Sequence, residues 1–468
     1  MTIKNKHGTS EPIHVTEGLL QGEVLSPSLF ALFLADLEEF LLTKGIRGVS
    51  INTLKEILLL AYADDIVILT ESQVMMKKVL KVVQEYCRLN RLIINVKKTN
   101  VVVFSKGARA FTEGKFYFGE DEINEIREYV YLGIPFVRSA LFEAAAKNMY
   151  RKGIIAIDFT IKLIRNTKLE FWNRIELLFD SLIVSVVLYS SPLWCVNYLR
   201  ILEKLQYTFF KRLLNLPSCT PGYAVRLETG RAHLSLKIFK LVLDWISKVI
   251  LMPINRYPKV VFMKLLELSK NQNCILKYNW ISLVKKHFFE PINELEIWEN
   301  IGLLSKLENR ITLLNKFATY LKNIYIYSRF KSSALLLYPN SEPIENMSTC
   351  ENFVGKLLLG YKSFISQIKL LNIHNLRIII DKKVYKLENH GTCEFCNINE
   401  ASLFHWIVDC NLLSEERKKF NLLNLNAENS LDLNFYIYSH SMREIRNFKK
   451  FVVFILENSL FKNYVLKL

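Results

Sequence analysis

The sequence predicts an α/β (α+β) segment over residues 1–137, followed by a mostly α-helical region and a small cysteine–histidine cluster. Short apolar runs and helical spacing alternate in the first segment, whereas strand signals fade beyond about residue 140. Late in the chain, three of the eight cysteines fall within eighteen residues. These observations define the expected architecture.

Composition bounds the class of protein. The chain has 468 residues, which predicts two to four domains at roughly 100–200 residues each. Half of the residues are hydrophobic and only 11 are Pro and 16 Gly, so a large core is expected and wholesale disorder is excluded. The formal charge of +17 indicates a polyanionic partner, either nucleic acid or an acidic membrane surface.

The sequence predicts neither a membrane span nor a secretion signal. The most apolar stretches carry charges or are broken by Asp180 and Pro192, so they fall short of the ~20 apolar residues that cross a bilayer. The N-terminus lacks the apolar stretch of a signal peptide. Because five cysteines are scattered singly, as is typical of a reducing compartment, we expect an intracellular protein.

The first segment is expected to run helix, hairpin, helix, strand. Ser26 offers an N-cap and Pro27 a first helical residue, and helical spacing continues to Gly45. Two dense apolar runs then flank Ala63-Asp64-Asp65 and predict a buried β-hairpin. Helical spacing over 75–86 and an apolar run over 101–104 complete the order.

Helical spacing dominates the rest of the chain. On the helix predicted over 198–216, Arg200, Lys204 and Lys211 gather nearly opposite the apolar side, which fits either a phosphate-binding ridge or an ordinary solvated face. His233 and Trp245 are interpreted as packing residues. The polar stretch 330–350 predicts a boundary. The candidate helices cover 141–165, 170–190, 198–216, 232–251, 300–325 and 442–465.

Asp64 and Asp65 are adjacent carboxylates between two apolar strands. Such a pair is costly in apolar surroundings unless cations neutralise it. Divalent metals do so in phosphoryl transfer, where two ions about 3.5–4 Å apart hold the attacking and leaving oxygens. An ordinary turn, in which Asp bonds the backbone, is the competing interpretation and is favoured on this feature alone.

Four ordered motifs favour the metal-binding interpretation of Asp64 and Asp65 over an ordinary turn. Gln21-Gly22 with Leu25-Ser26-Pro27, AYADD at 61–65, Lys97-Lys98-Thr99 and Tyr131-Leu132-Gly133-Ile134 extend over about 115 residues. Together they resemble the reverse transcriptases of non-LTR (LINE-type) retrotransposons. The resemblance implies a polymerase palm that uses an RNA template, a DNA primer or target, deoxynucleotides and two Mg2+ ions.

The resemblance also implies residue roles. Asp64 would be the shared Mg2+ ligand and Asp65 a neighbouring carboxylate, while Lys98 would lie near the triphosphate or, on an equal footing, be a solvated loop lysine. Asp36 is interpreted as an exposed helix-face carboxylate. The residues implied to contact template and nucleotide are Gln21, Gly22, Ser26, Pro27 and Tyr62, and those implied to form the primer grip are Tyr131, Leu132 and Gly133.

One expected part of such a palm is absent from the sequence. Related polymerases carry another metal-binding Asp on a strand before the Gln-Gly loop, but only twenty residues precede Gln21 and none is Asp. We therefore expect the chain to begin part-way through the palm, and to polymerise poorly or not at all by itself.

The resemblance continues past the palm. Residues 177–231 look like the region that follows it in these elements, so we interpret Arg200, Lys204 and Lys211 as template–primer contacts on a thumb. Late in the chain, Cys393, Cys396, His405 and Cys410 have the ligand types and spacing of a tetrahedral Zn2+ site. They resemble the C-x2-C…H-x4-C knuckle of LINE-type proteins. His390 lies just before the cluster and is a spare candidate ligand that we do not favour, and Arg417, Lys418 and Lys419 follow it and could meet phosphates.

The leading hypothesis is the reverse transcriptase part of a non-LTR retrotransposon, which the resemblance would place in the nucleus. A non-catalytic nucleic-acid-binding remnant is the alternative, and a product that never folds is a third. Oligomeric state is not readable from the sequence. The expected domains are partial palm 1–137, thumb 138–251, helical linker 252–385, zinc knuckle 386–425 and C-terminal helix 426–468.

Overall fold

The computed structural model describes most of the chain up to residue 330 and separate segments after it. Before residue 331 the undescribed positions are 1, 3, 7, 13–17, 20–22, 53–54, 109–113 and 272–273. The later described segments are 359–369, 377–387, 392–393, 396–397, 403–408, 410–422, 442–458 and 465–467. Gln21, Gly22 and His390, together with the predicted boundary at 330–350 apart from its first residue, lie outside them.

The chain divides into two compact units. Unit 1 comprises residues 1–142 and 251–281, and unit 2 comprises 143–250 and 282–468. Part of the segment expected to be a helical linker therefore returns to the first unit. There Lys55 donates to the Asn255 carbonyl oxygen at 2.9 Å, and Tyr278 accepts a hydrogen bond from the Gly107 amide at 3.2 Å.

The strands are short and form small sheets. Among the described residues their bounds are β1 Lys4–Asn5, β2 Gly8–Thr9, β3 Val49–Asn52, β4 Lys55–Ile57, β5 Leu59–Tyr62, β6 Asp65–Ile68, β7 Asn100–Val101, β8 Phe116–Phe118, β9 Asp121–Glu125, β10 Glu128–Tyr131, β11 Ile134–Val137, β12 Arg377–Ile380, β13 Lys383–Leu387 and β14 Val465–Lys467.

The helices make up most of unit 2. Among the described residues their bounds are α1 Ser26–Phe33, α2 Leu37–Thr43, α3 Gln73–Leu89, α4 Glu143–Asn166, α5 Trp172–Leu178, α6 Ser185–Val187, α7 Ser191–Trp194, α8 Leu199–Leu213, α9 Gly222–Thr229, α10 Leu234–Leu251, α11 Tyr257–Ser269, α12 Trp280–Val284, α13 Leu295–Glu299, α14 Leu307–Phe330, α15 Leu359–Lys369, α16 Leu403–Val408, α17 Ser414–Lys419 and α18 Met442–Glu457. No helix in the described ranges is long and apolar enough to cross a membrane.

The expected order of elements in unit 1 is confirmed with corrections. The predicted helix from Ser26 to Gly45 is two helices, α1 and α2, separated by a turn. Ser26 is the first helical residue rather than the N-cap, which is Leu25. The predicted strand 101–104 shrinks to β7, which pairs in parallel with β9. Helix α3 packs its apolar face on α2 and encloses a core cluster that includes Leu41, Val79 and Tyr86.

In unit 2 the predicted helices over 141–165, 198–216 and 232–251 are confirmed as α4, α8 and α10. The helix predicted over 170–190 is interrupted by a π-helical turn, Phe179–Val184. Phe179 contacts both Phe209 and Phe210 of α8, with ring centroids 5.0 and 5.1 Å apart. This aromatic contact seats the turn on α8.

The C-terminal part, expected to be mostly helical, also contains a sheet that the sequence did not predict. Strands β12, β13 and β14 form a three-stranded antiparallel sheet in the order β12-β13-β14. The sheet, α15, α16 and α18 share one core cluster, which includes Ile378, Trp406 and Phe448. Because β14 is distant in sequence from β13, local patterns did not reveal the pairing.

Candidate functional site

The predicted aspartate hairpin is confirmed. Strands β5 and β6 pair antiparallel, with Tyr62 opposite Asp65 at the tip and Leu59 opposite Ile68 at the base. Asp64 lies in the two-residue turn and Asp65 is the first residue of β6. The two carboxylates are therefore adjacent at the tip of a regular hairpin, where a ligand can approach both.

The hairpin is less buried than predicted. Leu58 at its base is fully buried, but Tyr62 is 65% exposed and both aspartates are exposed. Within the described ranges β5 and β6 form a sheet of two strands, so the tip has no third strand beside it there. Within those ranges, no third acidic side chain joins Asp64 and Asp65 in a potential metal-binding group. The missing-strand expectation stays a prediction.

The backbone at the hairpin turn is strained. Ala63 has φ of 53°, in the left-handed region where a side chain costs roughly 1–2 kcal/mol. Strain of this kind persists only when the surrounding structure holds it, and it clusters at functional sites. At Ala63 it fixes the turn from which Asp64 projects.

The segment predicted as primer grip is a second hairpin. Strands β10 and β11 pair with Tyr131 opposite Ile134, and Leu132 and Gly133 form the turn with φ of 47° and 80°. Two consecutive positive φ values are typical of a type I′ turn, which fits the right-handed twist of the strands. Burial raises the pKa of the Tyr131 phenol, and the negative charge of Asp65 raises it further. The two hairpins thus lie within electrostatic range of each other.

The remaining described palm residues lie near α1 and after α3. Ser26 is half-buried and Pro27 exposed in the first turn of α1. Lys98 is exposed in a turn after α3, where its amide donates to the Asn95 carbonyl oxygen at 3.0 Å. The roles assigned to these residues stay predictions.

Asp36 makes a tertiary hydrogen bond that the sequence did not indicate. It is exposed, as expected, yet it accepts a 2.5 Å hydrogen bond from the phenol of Tyr86, which is 1% exposed. Burial, and then this bond to a carboxylate, raise the pKa of Tyr86. The bond ties the start of α2 to α3, a tertiary role that helical spacing alone does not reveal.

The predicted cysteine–histidine cluster comes together in space. One ligand atom from each of Cys393, Cys396, His405 and Cys410 lies within 4.8 Å of the others. Cys396 Sγ and His405 Nε2 are 3.3 Å apart, and the other two cysteines are buried. In a tetrahedral zinc site with Zn–S of about 2.3 Å, sulfurs lie about 3.8 Å apart, so small shifts suffice. Three sulfurs and an imidazole nitrogen are a donor set compatible with zinc.

Comparison with known proteins agrees with the hairpin motifs. The family model for reverse transcriptase (RNA-dependent DNA polymerase) matches residues 1–136. A Pol polyprotein from the type-1 retrotransposable element R2 of Popillia japonica is 28% identical over 249 residues, covering 50% of this chain and 34% of that protein. The RNA-directed DNA polymerase from the mobile element jockey of Drosophila funebris is 25% identical over 236 residues, covering 48% of this chain and 24% of that protein.

The predicted resemblance to the reverse transcriptases of non-LTR elements is confirmed. Residues 1–136 match the reverse transcriptase family, and both relatives are proteins of non-LTR elements. The chain spans about a third and about a quarter of the length of these two relatives. Both similarities cover about half of this chain, so they extend past the reverse transcriptase domain into the helical part.

The three predicted phosphate-binding cations of α8 differ in exposure. Arg200 and Lys204 are exposed, and the Lys204 ammonium lies 5.8 Å from the ring centroid of Tyr150. Lys211 is half-buried and donates to the Ser218 carbonyl oxygen at 2.8 Å. Burial lowers the pKa of Lys211. The nucleic-acid role of all three stays a prediction, with Lys211 already engaged by its own chain.

Sequence reasoning missed a buried polar network beyond the reverse transcriptase domain. Glu203 of α8 is 4% exposed and accepts from the amides of Leu234 and Ser235, at 2.5 and 3.3 Å, at the start of α10. Its other oxygen accepts from Arg226 at 3.2 Å. His233, expected to be a packing residue, lies with Nδ1 2.6 Å from Glu203. Arg226 lies in the segment T-P-G-Y-A-V-R-L-E-T-G-R at 220–231, whose mixture of polar and apolar residues gave no sign of a buried network.

The three cations that follow the cysteine cluster also differ in exposure. Lys418 and Lys419 are exposed, and Lys419 pairs with Glu416 at 2.6 Å. Arg417 is only 2% exposed and donates to the Cys410 carbonyl oxygen at 2.7 Å. The expectation that Arg417 contacts phosphate is therefore wrong, because its guanidinium is enclosed by the cluster's own backbone.

Proposed function

We propose that this chain is the RNA-directed DNA polymerase portion of a non-LTR retrotransposon protein. The observation that carries the proposal is the exposed Asp64–Asp65 pair at the tip of a hairpin inside a matched reverse transcriptase domain. The reaction would be attack of a primer 3′-hydroxyl on the α-phosphate of a deoxynucleotide, with an RNA template. The nucleus, where chromosomal DNA lies, is the proposed place of action.

The carboxylates fit a hard divalent cation. Mg2+ prefers oxygen ligands, and adjacent exposed carboxylates provide them without burying charge. When bound, Mg2+ would supply charge neutralisation of the triphosphate and activation of the hydroxyl. Asp64 and Asp65 would hold it, Lys98 would meet the departing pyrophosphate, and the Tyr131–Gly133 hairpin would support the primer end.

We also propose a structural Zn2+ ion at Cys393, Cys396, His405 and Cys410. The donor set and the 4.8 Å limit between its atoms support this assignment. A metal here would fasten the cluster to the core it shares with α15 and α18. Zinc content of the purified chain, compared with a Cys393→Ser variant, tests the assignment.

Primer extension on an RNA template tests the polymerase proposal. The variants are Asp64→Asn and Asp65→Asn, and the matched control is Asp121→Asn, since Asp121 is likewise the exposed first residue of a hairpin strand, β9. Mg2+-dependent incorporation that both site variants abolish and the control retains supports the proposal. We expect the rate of the chain alone to be low, so single-turnover conditions with excess enzyme are used. Incorporation that survives Asp64→Asn refutes it.

A non-catalytic nucleic-acid-binding protein is the second candidate. The exposed cations Arg200 and Lys204 and the net charge of +17 favour it. Such a protein would bind an RNA–DNA duplex with strong salt dependence and would incorporate no nucleotide. Binding measured at two salt concentrations alongside primer extension distinguishes the two functions.

A further inference from the structure

Arg417 is a buried cation in an otherwise exposed basic run. It is 2% exposed, whereas its neighbour Lys418 is exposed. Arginine is almost never fully buried unless its charge is paired or its donors are satisfied. The burial of this one residue therefore needs a cause that the adjacent lysines do not share.

The Arg417 guanidinium contacts the backbone carbonyl oxygens of one short segment. Nη2 donates to the Cys410 carbonyl oxygen at 2.7 Å, and Nη1 makes longer contacts of 3.4 and 3.5 Å to the carbonyl oxygens of Trp406 and Ile407. These carbonyls belong to the last turn of α16, which ends at Val408, and to Cys410, two residues past that end. The last carbonyls of a helix lack intrahelical partners, and an arginine fork can satisfy several at once.

That segment joins two members of the cysteine–histidine cluster. His405 lies on α16 and Cys410 follows it, and the Cys410 amide donates to the His405 carbonyl oxygen at 2.9 Å. The Arg417 guanidinium therefore contacts the backbone that links the two residues, at Trp406, Ile407 and Cys410 itself. Residues that orient ligands through hydrogen bonds are typically worth about 10- to 100-fold in metal affinity.

The net charge of the metal-loaded cluster also favours a cation at the position of Arg417. Three thiolates, a neutral imidazole and Zn2+ carry a net charge of −1, and the guanidinium carries +1. A buried cation bonded to a ligand residue's own carbonyl thus offsets the charge of the loaded site. The exposed lysines that follow cannot do this at comparable strength, because solvent screens them.

We propose that Arg417 is a positioning residue of the zinc site, which sets metal affinity by orienting His405 and Cys410 and by balancing the charge of the loaded cluster. The inference rests on the zinc site proposed above. It assigns to Arg417 a role within the protein rather than at a phosphate.

Metal titration of the full chain tests the inference. The variants are Arg417→Gln, which removes the charge, and Arg417→Lys, which keeps the charge without the fork, with Lys418→Gln as the control. Zn2+ affinity is measured by competition with a chromophoric chelator, and Co2+ is used as a spectroscopic probe of ligand geometry. We expect Arg417→Gln to weaken Zn2+ binding by about 10- to 100-fold and Arg417→Lys by less. The visible Co2+ bands should change shape in both, while Lys418→Gln matches the wild type.

The outcomes separate the two proposals. If Arg417→Gln binds Zn2+ as tightly as Lys418→Gln with the same Co2+ spectrum, the positioning role is overturned and the zinc site stands. If Arg417→Gln does not fold, Arg417→Lys decides, since wild-type affinity and spectrum there overturn the role equally. If wild-type chain gives no Co2+–thiolate band that Cys393→Ser removes, the zinc site itself fails and the role of Arg417 fails with it.

Discussion

Replacing Glu203 by Ala is expected to destabilise unit 2 far more than the loss of an exposed helical carboxylate would. The carboxylate is almost fully buried and accepts from the first amides of α10 and from Arg226, whose side chain is only 10% exposed. Removing one partner of a buried ion pair leaves an uncompensated charge and typically costs about 3–5 kcal/mol. Two unsatisfied amides at a helix start act in the same direction.

The assay is equilibrium unfolding in urea followed by tryptophan fluorescence, which reports on the buried Trp172 and Trp194 of the same unit. Glu143→Ala is the matched control, because Glu143 also forms an ion pair but is 59% exposed and pairs with Lys147 on the same helix. A surface pair of this kind contributes about 0–1 kcal/mol. The double variant Glu203→Ala with Arg226→Met should recover part of the loss, since no charge then stays buried alone. Equal midpoints for Glu203→Ala and Glu143→Ala would refute the reasoning.

Three further predictions concern stability. Gly153→Ala should lower the free energy of unfolding by about 1–3 kcal/mol, because the new Cβ would lie 2.7 Å from both Leu205 and Val187. Gly302→Ala is the control, since the space around Gly302 is open, and it should leave the stability unchanged. Thermal melts of the two variants check this prediction. Tyr86→Phe should cost about 1–2 kcal/mol through loss of its bond to Asp36, measured against Tyr117→Phe at an exposed site, and equal melting temperatures would contradict this. Burial would raise the pKa of Asp180, but hydrogen bonds from Arg231 and Lys237 outweigh burial and hold the pKa below its usual value. The stabilising contribution of the Asp180 carboxylate is therefore present above about pH 4 and is lost as the pH falls through the lowered pKa. Asp180→Asn should therefore flatten the acid side of the stability–pH curve, and an unchanged curve would count against the ion pair.

Some features of this protein follow from local sequence. The AYADD hairpin was predictable because dense apolar runs on either side of a polar turn favour antiparallel pairing whatever surrounds them. The long helices α4, α8 and α10 carry helical spacing that a few residues suffice to reveal. The cysteine–histidine cluster was also predictable, since C-x2-C and H-x4-C are local spacings that place donors on one side of a turn or helix.

Other features were decided only by tertiary structure. The sheet of β12, β13 and β14 joins strands almost eighty residues apart, and no local pattern encodes such a pairing. Burial of Glu203 and Arg417 depends on which elements pack against them, so the sequence did not indicate that Glu203 is buried and favoured a phosphate contact for Arg417. The sequence by itself determined the chemical groups and their local spacing. Packing between distant segments decided which of those groups are buried, paired or exposed, because desolvation and charge pairing are properties of the folded surroundings.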